Sequence, residues 1–263
     1  MADIELEADG PVRYIWLSRP DRLNALSDEI RKGLILALDD IEADADARVA
    51  VICGRGRAFC AGGDVRGQSD RLGTSMPIGT RIARHRRSGL VTAMRILEFG
   101  KPIVAAVNGP AVGAGFHMAL ACDIRIAATS AYFSEVFIDR GLIPDWLGLR
   151  LLPEMIGISR ATELVLTGRR MPAQEAAEIG VVSRVVDDAD FPAAVRELAN
   201  ALAERPPLAI SLAKQLMKSA MLSDIWATRE TEAIAQAICG ASADHAEGVT
   251  AFLEKRPAKF RGI

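Results

Sequence analysis

A chain of 263 residues, half of them hydrophobic, has room for one large core or a core with a small appendage. Its 32 basic and 34 acidic residues leave a formal net charge of −2, which argues against nonspecific nucleic-acid binding as its task. No apolar run approaches the ~18 residues of a membrane span, and residues 1–10 lack the apolar centre of a signal peptide. Cys53, Cys60, Cys122 and Cys239 form no CxxC pair and have no histidine at metal spacing, so a cytoplasmic protein with reduced thiols and no metal site is expected.

In chain order, short apolar runs alternate with helical stretches. The first strand is expected at 13–18. A helix follows over 26–41, where Ile30, Leu34, Leu38 and Ile41 fall on one face, Ser27 can cap and Asp28 and Glu29 suit the first turn. A strand at 49–54 runs into a small-residue turn. The basic stretch from Arg81 to Arg87 reads as a helix with a solvated face. A strand at 103–108, apolar on both faces, is broken by Asn108, Gly109 and Pro110, and a helix starts near Gly115 and runs toward Asp123. Further strands are expected at 124–127 and 181–186. After Pro206 and Pro207 the chain reads as helices at 208–221, 224–238 and 244–255, with wide apolar faces that suit packing against another subunit. This divides the chain into a core, 1–200, and a helical oligomerisation segment, 201–263. Strands separated by helices imply an α/β fold with mostly parallel sheets. A doubly wound sheet and a spiral of repeated ββα turns both satisfy the pattern.

Two strand-to-turn junctions carry the chemistry. One is Ala50 to Asp64, the other Lys101 to Asp123. Each puts peptide N–H groups where no side chain covers them, and the second adds the partial positive charge of a helix N-terminus. Two such turns can each offer one N–H to a single oxygen that is gaining negative charge. Gly109, Gly113 and Gly115 do not make the GxGxxG of a dinucleotide site, and no Gly-Lys-Ser/Thr phosphate loop is present.

Ala58-Phe59-Cys60-Ala61-Gly62-Gly63-Asp64, Val112-Gly113-Ala114-Gly115 and Cys122-Asp123-Ile124, in this order and spacing, resemble the crotonase family of enoyl-CoA hydratases and isomerases. The resemblance runs from Arg19 to Arg256. It implies the ββα spiral, a C-terminal helical segment that builds trimers or dimers of trimers, and an acyl-CoA substrate that brings CoA with it and needs no other cofactor. It places the oxyanion donors at the N–H groups of Ala61 and Ala114, with Gly62, Asp64, Gly113, Gly115 and Phe137 around the substrate. Phe252 and Lys255 match positions that contact CoA, and the basic segment 81–87 could neighbour CoA phosphates.

The acid–base positions depart from the family pattern. The two glutamates that hydratases use fall here at His117 and Phe137, so water loses both of its usual partners. Glu135 lies two residues before Phe137 and shares its face in an extended segment; the alternative is a supporting carboxylate. His117 sits in the first turn of the donor helix, where a neutral imidazole is expected; it is a candidate base, a donor to substrate, or filler of the pocket. Asp145, in Gly141-Leu-Ile-Pro-Asp-Trp-Leu-Gly148, matches an aspartate found in family members that isomerise double bonds, and it could equally cap a helix starting near Trp146. The expected activity is therefore double-bond isomerisation by proton shuttling with Asp145, His117 and Glu135 as acid–base candidates. Hydration, noncatalytic acyl-CoA binding and C–C hydrolysis of β-diketones are the alternatives.

Overall fold

The computed structural model describes residues 3–64, 76–220 and 223–263. A hairpin opens the fold: β1 (Ile4–Asp9) pairs antiparallel with β2 (Val12–Leu17) around Gly10 at φ 56°. The sequence signal for β1 is weak because only Ile4 is buried and the other five residues are exposed. Helix α1 (Asp28–Ala43) follows, with the Ile30 N–H donating to the Ser27 hydroxyl at 3.0 Å, as the capping pattern implies.

β3 (Val49–Gly54), β4 (Ile103–Val107), β6 (Ile124–Ala128) and β9 (Arg184–Val186) then add in parallel, giving a six-stranded sheet of order β1-β2-β3-β4-β6-β9. β9 is shorter than the expected strand. The N–H groups of Val181 and Val182 both turn back to the Ala176 carbonyl, so these valines are buried in a bend, not paired in the sheet. A second sheet of three very short strands, β5 (Ala111–Val112), β7 (Tyr132–Ser134) and β8 (Arg170–Pro172), has no periodicity long enough to read.

Successive strand residues point to opposite faces, and each face of the large sheet is covered. Ile15, Ile52 and Ala105 pack with Ile30, Leu34 and Leu38 of α1. Tyr14, Val51, Val104 and Ile126 pack with Phe191, Val195 and Ala199 of a later helix. That both faces are buried explains the continuous apolar runs of β3 and β4. The helices between are α2 (Ile78–Arg86), α3 (Gly89–Glu98), α4 (Ala114–Ala121), α5 (Gly148–Ile156), α6 (Ile158–Thr167), α7 (Ala173–Glu178) and α8 (Phe191–Ala203). None among the described residues is long and apolar enough to cross a membrane.

The chain ends in α9 (Pro207–Ala220), α10 (Ile225–Gly240) and α11 (Ala243–Glu254). The expected helix end at residue 221 lies outside the described residues. These helices expose Trp226, Ile234, Phe252 and Leu253. Polar clamps tie them to the core. The Lys214 ammonium, only 6% exposed, meets the Asp123 carboxylate at 2.7 Å and donates to the Lys101 carbonyl. Lys218 takes the other oxygen of Asp123 at 2.8 Å. Burial pulls Lys214 below the usual lysine range and Asp123 pulls it back.

Asp123 also accepts the Ile103 N–H at 2.8 Å. Asp123→Ala therefore strands a buried ammonium and a backbone donor together. Removing one member of such a pair costs roughly 3–5 kcal/mol, and urea unfolding of this variant is expected to show a loss of that size. A change below about 1 kcal/mol would mean the clamp is screened by solvent.

Candidate functional site

A cavity of about 430 Å³ opens where the two strand-to-turn junctions meet. Gly62 and Gly63 line it from one junction, Gly113 and Ala114 from the other, and Val136, Phe137, Arg140, Leu142, Ile143, Pro144 and Asp145 complete the lining with His85, Gly89 and Leu90. The junctions are sewn together by backbone. The Cys60 N–H donates to the Pro110 carbonyl at 3.0 Å, and the Val112 N–H donates to the Cys60 carbonyl at 2.9 Å. Gly115 is needed for this approach, because a Cβ there would overlap the Cys60 carbonyl. Its place is in that packing and not on the cavity wall.

The donor assignment shifts by two residues. The Ala61 N–H is already committed to the Leu23 carbonyl at 2.9 Å, so it is not free to hold a ligand. The Gly62 N–H is aimed at the Cys60 thiol. Gly63 lines the cavity, and its N–H has no acceptor among the described residues. Ala114, the first residue of α4, is in the same state. Gly113 at φ 53° turns the chain into that helix. Among the described residues, the open N–H groups of this wall are those of Gly63 and Ala114, rather than Ala61 and Ala114. A parallel bridge between Leu26 and Gly63 holds the first of them. Nothing in the spacing separates Ala61 from Gly63; only the Leu23 contact does, and Leu23 takes an unusual left-handed φ of 50° to make it.

Asp64 does not line the cavity; it pairs with Arg19 at 3.1 Å and so anchors the turn from behind. Phe252 and Lys255 are far along α11 and its cap. Phe252 lines a separate groove of about 390 Å³ among the C-terminal helices, and neither residue reaches the cavity within one chain. Cys60 stays inert despite its position, since burial pushes its thiol up to about 12.

His117 and Glu135 are brought together but walled off. The imidazole Nε2 lies 2.7 and 2.9 Å from the two Glu135 oxygens, and the side chains are 0% and 1% exposed. Phe137 stacks on the imidazole at 5.1 Å and stands between the pair and the cavity. Asp145 alone of the three expected acid–base residues lines the cavity.

The capping role for Asp145 does not hold. The helix after it begins at Gly148, and the Asp145 Oδ1 has no hydrogen-bond partner among the described residues. Instead the Gly148 N–H donates to the Asp145 backbone carbonyl at 2.9 Å across Trp146 and Leu147, at φ 49° and 63°. Two central residues at positive φ are the signature of a type I′ turn, and side-chain-bearing residues hold it at some strain. Buried Trp146 packs onto Gly89, where any Cβ would overlap the indole. Burial holds the Asp145 carboxyl above the usual carboxylate range, and His117, His85 and Arg31 each draw it down.

The description "enoyl-CoA hydratase/isomerase" belongs to the family model that matches residues 7–262. The chain belongs to the enoyl-CoA hydratase/isomerase family. It is 38% identical to a 1,2-epoxyphenylacetyl-CoA isomerase of Escherichia coli over 252 residues, covering 95% of each chain. It is 32% identical to a short-chain-enoyl-CoA hydratase of Clostridium acetobutylicum over 259 residues, 97% of this chain and 95% of that one. Among solved structures, the enoyl-CoA hydratase of Bacillus anthracis superposes with a TM-score of 0.92 at 33% identity, covering 99% of this chain and 100% of that chain. The mixed α/β fold expected from the crotonase resemblance is thus the fold found.

Within this enoyl-CoA hydratase/isomerase chain, the cavity residues not singled out from the sequence are Gly63, Gly89, Leu90, Val136, Arg140, Leu142, Ile143 and Pro144, with His85 marked only as part of the basic segment. His85 had a signal, the basic segment 81–87, but no partner that spacing could supply.

Gly148 tests the geometry. A Cβ at this position would overlap the buried imidazole of His117. Overpacking of this kind costs about 1–3 kcal/mol. Gly148→Ala is expected to lower the thermal midpoint and to weaken ligand binding at the cavity, while Gly141→Ala, open on that side but at φ 64°, should bring backbone strain without any overlap at the site.

Proposed function

We propose that this chain isomerises the double bond of an enoyl-CoA thioester by moving a proton with Asp145. The observation that carries the reading is that Asp145 is the one carboxyl among the described residues that line the cavity, which Gly63 and Ala114 line as well. The thioester oxygen would accept both N–H groups. Asp145 takes a proton from the carbon next to the carbonyl, the electron pair moves onto the thioester oxygen as an enolate, and the same carboxyl returns the proton two carbons further on. Two backbone donors cost no reorganisation when the negative charge appears, and losing one such donor typically costs about 100- to 1,000-fold. Raising the carboxyl above its usual range suits it to this task, because a base works best when its pKa approaches the working pH.

Hydration, the reaction in the names of several relatives, is the competing reading. It needs water held and protonated by two groups, and here Phe137 occupies one position while His117 is turned onto Glu135 behind it. Those features support isomerisation.

The test is turnover of a β,γ-enoyl-CoA beside crotonyl-CoA. Wild type is expected to isomerise the first and to hydrate the second weakly. Asp145→Asn should lower isomerisation by about 100- to 10,000-fold. In wild type, kcat is expected to fall as pH drops through the raised Asp145 pKa, since only the ionised carboxyl accepts a proton. Robust hydration with full isomerisation in Asp145→Asn would overturn the reading.

The exposed apolar surface of α10 and α11 supports association of copies through the C-terminal helices. A trimer or a dimer of trimers is expected by light scattering at micromolar concentration, and a stable monomer would refute it.

A further inference from the structure

The cavity lining is mostly apolar, with Leu90, Val136, Phe137, Leu142 and Ile143 in it, yet Arg140 also belongs to it. Among the described residues that line the cavity, Arg140 is the one arginine or lysine. It ends a single 3-10 turn, Ile138–Arg140, and that turn explains its placement. The N–H groups of Arg140 and Leu142 both donate to the Phe137 carbonyl at 3.0 Å, and Gly141 closes the turn at φ 64°. With three residues per turn, successive side chains leave about a third of a turn apart. Asp139 lies beside Gly168, where an added Cβ would meet its carboxylate, while Arg140 lines the cavity. Arg19, Arg31, Arg95 and Arg169 each hold a carboxylate, whereas the Arg140 guanidinium has no acceptor among the described residues. The second nitrogen-bearing side chain of the lining, His85, comes from α2, which carries Arg81, Arg84 and Arg86 and no acidic residue.

We propose that the acyl chain of the enoyl-CoA substrate ends in a carboxylate and that Arg140 is the residue that selects it. The inference rests on the isomerase reading, which puts the acyl carbons beside Asp145. A guanidinium presents a planar fork of N–H donors that matches the two oxygens of a carboxylate. A carboxylate carried into an apolar cavity needs such a partner. The phosphates of CoA are a second source of negative charge, but the whole pantetheine arm separates them from the thioester. Arg140 shares one cavity with Asp145, Gly63 and Ala114, the groups assigned to the acyl carbons and the thioester oxygen. That favours the acyl end. Arg140 is also exposed to water, so the pair is worth less than a buried one and weakens with salt.

Two measurements on the full chain test this. The first reads binding without turnover. Hexanoyl-CoA and adipyl-CoA have equal chain length and no double bond to move, and they differ in a terminal methyl against a carboxylate. Calorimetric titration of the wild type at low salt is expected to give adipyl-CoA a Kd about tenfold lower, the low end for a charge-assisted pair. The advantage should shrink as salt rises. Arg140→Leu should abolish it, and Arg140→Lys should restore part of it. Equal Kd values for the two thioesters in wild type overturn the proposal without any variant. An advantage that survives in Arg140→Leu also overturns it. If Arg140→Leu weakens adipyl-CoA, hexanoyl-CoA and free CoA alike, the guanidinium serves the CoA phosphates and the proposal falls. The second measurement compares isomerisation of the β,γ-unsaturated forms of the same two thioesters, and the ratio of their kcat/KM values should follow the ratio of Kd values. A carboxylate advantage in binding with no isomerisation of either would sink the isomerase reading alone. Isomerisation of both with no carboxylate advantage would sink this one alone.

Discussion

The site depends on one close approach, that of the turn after β3 to the turn after β4. A parallel bridge between Cys60 and Ala111 joins them, and Gly115 lets α4 come down onto Cys60 without a side chain between. Each strand of a parallel sheet ends at the same edge, so neighbouring strands naturally bring their exits together. What is special is that both exits then leave a peptide N–H unpaired. Ordinary buried backbone finds a partner. Here Gly63 and Ala114 have none among the described residues, and the surrounding hydrogen bonds of Ala61, Cys60 and Val112 hold them on the cavity wall.

Around that fixed point the polar groups divide by access. Asp145 faces the cavity on a tight turn of unusual backbone, while the His117–Glu135 pair lies one layer back behind Phe137. The apolar wall of Val136, Leu142, Ile143 and Pro144 raises the cost of charge on Asp145. A base in such a place is neutralised more readily than one in water.

Much of this was legible in the chain. The α1 face, its Ser27 cap and the apolar runs of β3 and β4 are periodic signals of adequate length, and the structure has all of them. The motif order marked both turns. What could not be read were contacts between distant segments. Leu23 claims the Ala61 N–H from 38 positions away in the chain, so the N–H left open on the cavity wall is that of Gly63. Arg19 claims Asp64 in the same fashion. Glu135 was legible as a residue sharing a face with Phe137, but its partner His117 lies on another element, and burial of the pair is a property of packing. The short strands β5, β7 and β8 fail for a simpler reason: two or three residues carry no period.

The clamp at Asp123 has a consequence for how the molecule transmits force. Asp123 lies just past the end of α4, whose first residue is Ala114. A helix of eight residues is a rod about 12 Å long. Lys214 and Lys218 bolt α9 to one end of this rod, and the Ala114 N–H on the cavity wall is at its other end. The α9 clamp and the Ala114 N–H are therefore held at the two ends of one short helix.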